Sequence, residues 1–297
     1  MMKIEVRGII FVLFFLILAR AATAFPDDKH DISGVVLKVD HERHSLLVSC
    51  KSVPGYMDAM VMSFPVRDAT VLDSLQPGEA IQFSFVVNGS TGYADNIRTR
   101  PFQSLELDPT QTRRLKILES VASESSTSKA LAVGQLVPDF KLTDQTNQSI
   151  SLSQFSGKVV ALTFVYTRCP FPNYCFRLTN NFGQLQKRFA DRLGKDLTLL
   201  TVVIDPANDR PAALDTYGEV WKANSAGWHF LTGSLSEIQM LCRQFDMNFY
   251  PDEAVLVHSF HTVLIDRQGR LASNIEGNDF TSKQLGDLVE TMIKGAN

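Results

Sequence analysis

Apolar and polar residues alternate in a series of short segments between residues 31 and 99. Ile81, Phe83 and Phe85, for example, alternate with Gln82 and Ser84, which is the pattern of a strand with one buried face. Pro-Gly and Asn-Gly pairs between the segments predict turns. We predict strands at residues 31–39, 45–50, 60–64, 80–87 and 93–99. Five short strands in about 70 residues predict a small all-β domain, an OB-like five-stranded barrel.

From residue 133 onward the apolar residues form uninterrupted runs and helical faces. The runs at 159–165 and 197–204 contain no charged residue and predict buried strands. Leu178, Phe182 and Leu185 recur every three or four residues, which predicts a helix after the first run. Further elements are predicted as helices at 211–224, 234–245 and 282–293 and as a strand at 261–265. Strands alternating with helices predict an α/β domain with a mostly parallel sheet.

Residues 108–132 separate these two patterns. They combine a short helical segment with a serine-rich run at 123–128, a composition typical of a flexible linker. We therefore predict a β domain at residues 30–107, a helix and linker at 108–132, and an α/β domain at 133–297.

The first residues have the pattern of an export signal. Lys3 and Arg7 precede an apolar run at residues 8–19, and Ala22-Thr23-Ala24 fits a cleavage site. We predict a signal peptide at residues 1–24, and the alternative is an uncleaved membrane anchor. Both interpretations make this an exported chain, which contacts a membrane only through this segment if it stays uncleaved.

Charge and cysteine content narrow the class of protein. The chain of 297 residues has 29 Lys and Arg against 32 Asp and Glu, and no basic block, so nucleic acid is not an expected partner. Four cysteines occur, and only Cys169 and Cys175 are spaced for joint action. Cys242 lies on an apolar helical face and is predicted to be a buried small side chain.

Cys169 and Cys175 lie where the strand at 159–165 gives way to a helix. The positive end of a helix dipole favours thiolate, which is the form that attacks disulfides and binds soft metals. A thiol–disulfide enzyme usually has the spacing C-x-x-C, whereas five residues intervene here. A metal site, a redox disulfide and a structural disulfide between these two cysteines remain alternatives at this point.

Three methionines in the β domain form a second candidate site. Met60 and Met62 point to the same face of a predicted strand, and Met57 precedes them. Thioethers favour Cu(I), and Cys50 on the neighbouring predicted strand adds a possible thiolate ligand. The alternative is that these methionines only fill gaps in a small core.

The segment SCKSVPGYMDAMVMSF, residues 49–64, resembles the small periplasmic copper-binding module typified by CusF. The resemblance implies Cu(I) binding through Met60 and Met62. The histidine ligand of that family falls at or beside Cys50, and its copper-capping tryptophan corresponds to Met57, so these two residues become candidate helpers.

Residues from about 133 to 294 resemble the Sco/SenC family of copper-binding assembly factors. The motifs are VPDFKLTDQ, GKVVALTFVYTRCP, Asp205-Pro206, FLTG, a histidine before VLID, and GND at 277–279. The resemblance implies a thioredoxin-like fold with copper ligands at Cys169, Cys175 and His258. His261 is the alternative histidine, expected at the surface or behind the ligands. The usual family spacing is C-x-x-x-C, so the longer loop here is a departure.

Taken together, the resemblances imply a periplasmic copper chaperone. It would bind Cu(I) or Cu(II) and deliver copper to an acceptor such as the copper centre of cytochrome c oxidase. Two alternatives remain: a thiol–disulfide oxidoreductase or peroxidase using Cys169 and Cys175, and copper sequestration without an acceptor. The linker would hold the two domains at a high effective concentration and favour copper transfer between them.

Overall fold

A computed structural model describes residues 28–89, 91–100, 117, 130–252 and 255–295. The predicted signal peptide at 1–24 and almost all of the predicted linker at 108–132 lie outside the described residues. Among the residues that are described, no helix combines the length and apolar character needed to cross a membrane.

The N-terminal domain is all-β, as predicted. Its five antiparallel strands lie in the order β3-β2-β1-β4-β5. Their bounds are β1 Asp28–Asp40, β2 Ser45–Cys50, β3 Val61–Pro65, β4 Ala80–Asn88 and β5 Thr91–Thr99. Within the described residues the ladder does not close into a continuous barrel, because only a parallel bridge between Val66 and Ala94 joins the β3 end to β5. The sheet is therefore curved around one core but open.

The core of this domain lies on the face predicted by the alternation. Ile32, Val48, Phe64 and Phe83 are all buried there. The rings of Phe64 and Phe83 meet edge to face, with centroids 4.9 Å apart, which is a favourable aromatic geometry. One end of this face carries the methionines.

The C-terminal domain contains a seven-stranded sheet in the order β14-β13-β8-β9-β10-β6-β7. Only β8, β9 and β10 are parallel to one another, so the prediction of a mostly parallel sheet is wrong. The reason is that β13–β14 and β6–β7 are hairpins, whose short connections allow only antiparallel pairing, and they extend both edges. The strands are β6 Lys141–Asp144, β7 Ser149–Ser151, β8 Val159–Val165, β9 Leu197–Val203, β10 Trp228–Thr232, β13 His261–Ile265 and β14 Leu271–Glu276. A separate hairpin pairs β11 Phe249–Asp252 with β12 Val255–His258.

Four helices accompany this sheet in the described residues: α1 Cys175–Arg188, α2 Pro211–Val220, α3 Leu235–Gln244 and α4 Ser282–Lys294. Helix α1 buries Leu178, Phe182 and Leu185, the residues whose spacing predicted it. Strand β8 is an interior strand of the sheet. The start of α1 therefore lies near the middle of the sheet, at the carboxyl end of β8. The arrangement is the predicted α/β, thioredoxin-like one, and it places the cysteine loop at the carboxyl end of β8.

Candidate metal centres

The loop between β8 and α1 carries both predicted cysteine ligands. Cys175 is the first residue of α1 and is buried, whereas Cys169 in the preceding loop is partly exposed. All four cysteines of the chain are free thiols in this structure. The loop therefore presents one accessible sulfur and one enclosed sulfur.

The two thiols interact and have opposite pKa shifts. A hydrogen bond from the Cys175 side chain lowers the pKa of Cys169 to about 6, against the opposing effect of partial burial. Burial is the main cause that raises the pKa of Cys175 well above the ordinary thiol value, and the bond to Cys169 adds to it. At neutral pH the pair is thus a Cys169 thiolate that accepts a hydrogen bond from a protonated Cys175.

His258 lies against the buried thiol. Its Nε2 atom is 3.5 Å from the Sγ atom of Cys175. The other ring nitrogen, Nδ1, is 2.8 Å from the Ser259 carbonyl oxygen, which only accepts, so Nδ1 carries the proton and Nε2 keeps its lone pair. Burial lowers the pKa of His258 to about 4, so the imidazole is neutral. A neutral imidazole fixed by a carbonyl is the form in which histidine binds a metal.

Two aspartates hold the cysteine loop in place. Asp209, which is fully buried, accepts a hydrogen bond from the Thr167 backbone N–H at 3.0 Å and a second bond from the Thr167 hydroxyl. Asp205 accepts from the Arg168 guanidinium at 2.7 Å. Thr167 and Arg168 directly precede Cys169, so these carboxylates hold the position of the cysteine loop.

The three predicted ligands contact one another in succession and not as a closed set. Cys169 contacts Cys175, and Cys175 contacts His258. In the described part of the chain, no three histidine, cysteine, aspartate or glutamate side chains are grouped so that they could hold a metal ion. The donor chemistry nevertheless fits copper, because thiolate sulfur and imidazole nitrogen are both good copper ligands.

His261, the alternative ligand, is not a surface residue. Its side chain is buried, and its Nδ1 atom is 2.9 Å from the Asn274 side-chain oxygen. Burial lowers the pKa of His261 as well. Of the two positions expected for His261, the structure excludes the surface one, because β13 is an interior strand between β8 and β14.

The methionine site lies at one end of the β-domain core. Met62 is opposite Val48 on β2, and the Cys50 backbone N–H donates to the Met60 carbonyl at 2.8 Å. Residues opposite each other in an antiparallel pair share a face, so Cys50, Met60 and Met62 lie on the same face. Met60 is 44% exposed, whereas Met57 and Met62 pack partly against the core. Burial raises the pKa of Cys50 to about 12, so this residue is a protonated thiol.

Some residues at these sites had no role in the sequence interpretation. Asn278 is buried, and its side-chain amide donates to the Asn173 carbonyl at 2.7 Å within the cysteine loop. The His30 ring stacks on Tyr56, with ring centroids 3.4 Å apart. The GND motif contained the only signal for Asn278, and no sequence pattern pointed to the stacking.

A family model described as SCO1/SenC matches residues 128–294, which is more than half of the chain. The chain belongs to the SCO1/SenC family. A second family model, described as the copper binding periplasmic protein CusF, matches residues 29–96. Both resemblances predicted from the sequence are confirmed.

Individual relatives are similar over the SCO1/SenC region. The SCO1 protein homolog of Bacillus subtilis is 30% identical over 105 residues, which cover 35% of this chain and 52% of that protein. Protein sco1 of Schizosaccharomyces pombe is 27% identical over 159 residues, which cover 51% of this chain and 58% of that protein. The crystal structure of yeast Sco1 with copper bound is 22% identical, with a TM-score of 0.47 over 55% of this chain and 91% of that one. The description of the CusF family model names copper, the metal predicted from the sequence.

Proposed function

We propose that this protein is a periplasmic copper chaperone with two soft-ligand sites. The SCO1/SenC domain would hold copper through Cys169, Cys175 and His258. The β domain would hold Cu(I) through Met60 and Met62, with Met57 and Cys50 as additional ligands. The observation that carries the proposal is the contact of the thiol pair with a neutral imidazole whose free Nε2 faces the buried sulfur. Export is supported by the periplasmic description of the CusF family.

The geometry assigns distinct tasks to the ligands of the SCO1/SenC domain. Cys169 is the accessible thiolate, so it makes the first contact with incoming copper and is the ligand that an acceptor reaches first. Cys175 must release its proton to become a ligand, and the attraction of the cation for thiolate offsets its high pKa. His258 needs no proton release, because its Nε2 lone pair is already free. Copper is the cargo, and no change in its oxidation state is needed.

This asymmetry supports delivery of the copper to an acceptor. A ligand of the acceptor can displace the exposed Cys169 while Cys175 and His258 still hold the ion, which avoids a free copper intermediate. We propose the copper centre of cytochrome c oxidase as that acceptor, an assignment implied by membership of the SCO1/SenC family. Sequestration would use the same ligands without an acceptor.

The thiol pair also favours a second candidate function, a thiol–disulfide oxidoreductase. The Cys169 thiolate would attack a substrate disulfide and release one substrate thiolate. Cys175 would then attack the mixed disulfide, so that the second substrate thiol leaves and a Cys169–Cys175 disulfide forms. The exposed thiolate and the buried resolving thiol suit this sequence of steps.

Anaerobic titration of the exported protein with Cu(I) against a competing chelator separates these functions. Two tight equivalents are expected, one lost in Cys169→Ser/Cys175→Ser and the other in Met60→Leu/Met62→Leu. Loss of only the first would leave the β domain as a scaffold. No tight copper, together with disulfide reduction by the metal-free protein, would replace the chaperone with the oxidoreductase.

A further inference from the structure

Strand β2 joins the methionine site to the SCO1/SenC domain. The two neighbours of Cys50 in sequence both contact the other domain. The Ser49 hydroxyl donates to Asp287 Oδ2 at 2.6 Å, and the Lys51 ammonium lies 3.7 Å from Asp279 Oδ2. Because side chains alternate along a strand, Ser49 and Lys51 face away from the core that Cys50 enters.

The Ser49 contact is a buried anchor. Asp287 on α4 is 6% exposed and also accepts from Lys283 at 2.8 Å and from Arg188 at 2.8 Å. The Ser49 carbonyl accepts from the Gln284 side-chain amide at 3.4 Å. A carboxylate with three donors in a buried position resists displacement, so β2 is held against α4.

The Lys51 contact leads directly to the cysteine loop. Asp279 follows Asn278, and the buried Asn278 side chain donates to the carbonyl of Asn173, two residues before Cys175. The turn formed by Gly277–Phe280 therefore contacts Lys51, directly after β2, on one side and the cysteine loop on the other. This one turn therefore links the two candidate sites, through Lys51 on one side and Asn173 on the other.

We propose that this turn couples the two copper sites, so that Cu(I) bound at the methionine site raises the copper affinity of the Cys169–Cys175–His258 site. The inference rests on the proposed function. Copper held by Met60 and Met62 fixes the start of β3. The bond from the Cys50 N–H to the Met60 carbonyl then holds the end of β2, and with it Lys51, beside Asp279. The turn then keeps Asn278 on Asn173, and a cysteine loop that is already ordered loses less conformational entropy when it binds its own copper. By thermodynamic linkage, the cysteine site raises the affinity of the methionine site by the same factor.

The test compares copper affinities in the full exported chain by competition with a chelator. We expect the cysteine site of the protein with a loaded methionine site to bind Cu(I) about 5-fold to 150-fold more tightly than in Met60→Leu/Met62→Leu, the usual range of coupling between sites. The methionine site should weaken by the same factor in Cys169→Ser/Cys175→Ser. Asn278→Ala and Asp279→Asn should each reduce this factor towards one. Asp95→Asn is the matched control, because it removes an ion pair with Arg67 inside the β domain, and it should leave the factor unchanged.

Hydrogen exchange gives a second measurement that needs no copper at the cysteine site. In Cys169→Ser/Cys175→Ser, loading the methionine site should slow amide exchange in residues 169–175, and Asn278→Ala should abolish the slowing. Charge exchange in Lys51→Asp/Asp279→Lys should restore coupling lost in either single variant. Two sites that each bind copper tightly with unchanged affinity in the partner-site variants would overturn the coupling alone. Absence of tight copper at both sites would overturn the proposed function with it.

Discussion

The Sγ atom of Cys175 and the Nε2 atom of His258 lie 3.5 Å apart, although 83 residues separate them in sequence. Cys175 begins α1 and His258 ends β12, so the contact joins a helix start to a hairpin end. Both side chains are closed to solvent, and the neutral imidazole turns its unprotonated nitrogen to the sulfur. The buried half of the proposed copper site is thus already assembled in the metal-free protein.

The first prediction concerns the identity of the histidine ligand. Replacement of His258 by alanine should weaken Cu(I) binding at the cysteine site at least about tenfold, because even residues that only support metal ligands contribute that much. His261→Ala is the matched variant, because His261 is also buried but hydrogen-bonds to Asn274. Chelator competition on both variants, with thermal denaturation as a check of folding, decides between the two. Weakening in His261→Ala and none in His258→Ala would exchange their roles.

The second prediction concerns thiol reactivity in the metal-free protein. Because the hydrogen bond from Cys175 lowers the pKa of Cys169 to about 6, alkylation of Cys169 by iodoacetamide should reach half its maximal rate near pH 6. Cys175 should react only slowly, since burial raises its pKa and blocks access. Mass spectrometry of labelled peptides across a pH series measures both rates.

A Cys175→Ser variant tests the cause of that shift. A serine hydroxyl is shorter and donates to sulfur in a different geometry, so the midpoint for Cys169 should move to higher pH. An unchanged midpoint would show that another group, and not Cys175, stabilises the thiolate.

The third prediction concerns the contact between the domains at Gly78. Its φ of +94° disfavours any other residue, and a Cβ atom there would lie 1.9 Å from Ser273 Oγ on β14. Gly78→Ala should therefore lower the free energy of unfolding by about 1–3 kcal/mol, the usual effect of overpacking. It should also weaken the contact between the two domains. Thermal denaturation and limited proteolysis would measure the two effects.

Gly89→Ala is the control for backbone strain. Gly89 has a φ of +60°, and a Cβ atom there would meet nothing within 4 Å. Gly89→Ala should therefore lower the free energy of unfolding only by the cost of backbone strain, which is smaller than the effect of Gly78→Ala. Equal destabilisation of the two variants would mean that the Ser273 contact contributes nothing.

The fourth prediction concerns the buried interface carboxylate Asp287. Burial raises its pKa, but hydrogen bonds from Lys283, Ser49 and Arg188 outweigh burial, so the net shift is downward. A group whose pKa is lower in the folded than in the unfolded chain stabilises the fold above its unfolded pKa, and this stabilisation is lost as pH falls through the folded pKa. Denaturant unfolding from pH 6 to pH 2 should show this acid-side loss, and Asp287→Asn should reduce it.

Ser49→Ala removes one donor to Asp287 without changing charge. It should lower the free energy of unfolding by about 1 kcal/mol, the usual value for a buried hydrogen bond. Ser84→Ala is the matched control, since Ser84 donates to Asp31 at an exposed position and should matter less. A larger effect at Ser84 would contradict the anchoring role of Ser49.

The sequence alone predicted much of the local structure. Strands β2, β8 and β13 have the bounds expected from their apolar patterns, and α1 begins at Cys175 with the expected buried face. These features depend on the spacing of apolar residues within a single strand or a few helical turns, and that spacing can be read from one segment of sequence. The family motifs are also short local patterns, and they indicated the candidate ligands.

Only the tertiary structure decided how those segments meet. The hairpins at both sheet edges made the sheet mixed, and the interior position of β13 buried His261. The Ser49–Asp287 bond joins residues 238 positions apart, and no local pattern marks either partner. Such contacts depend on the packing of whole elements against one another, and so do the neutral state of His258 and the opposite pKa shifts of Cys169 and Cys175, because burial and neighbouring donors set them.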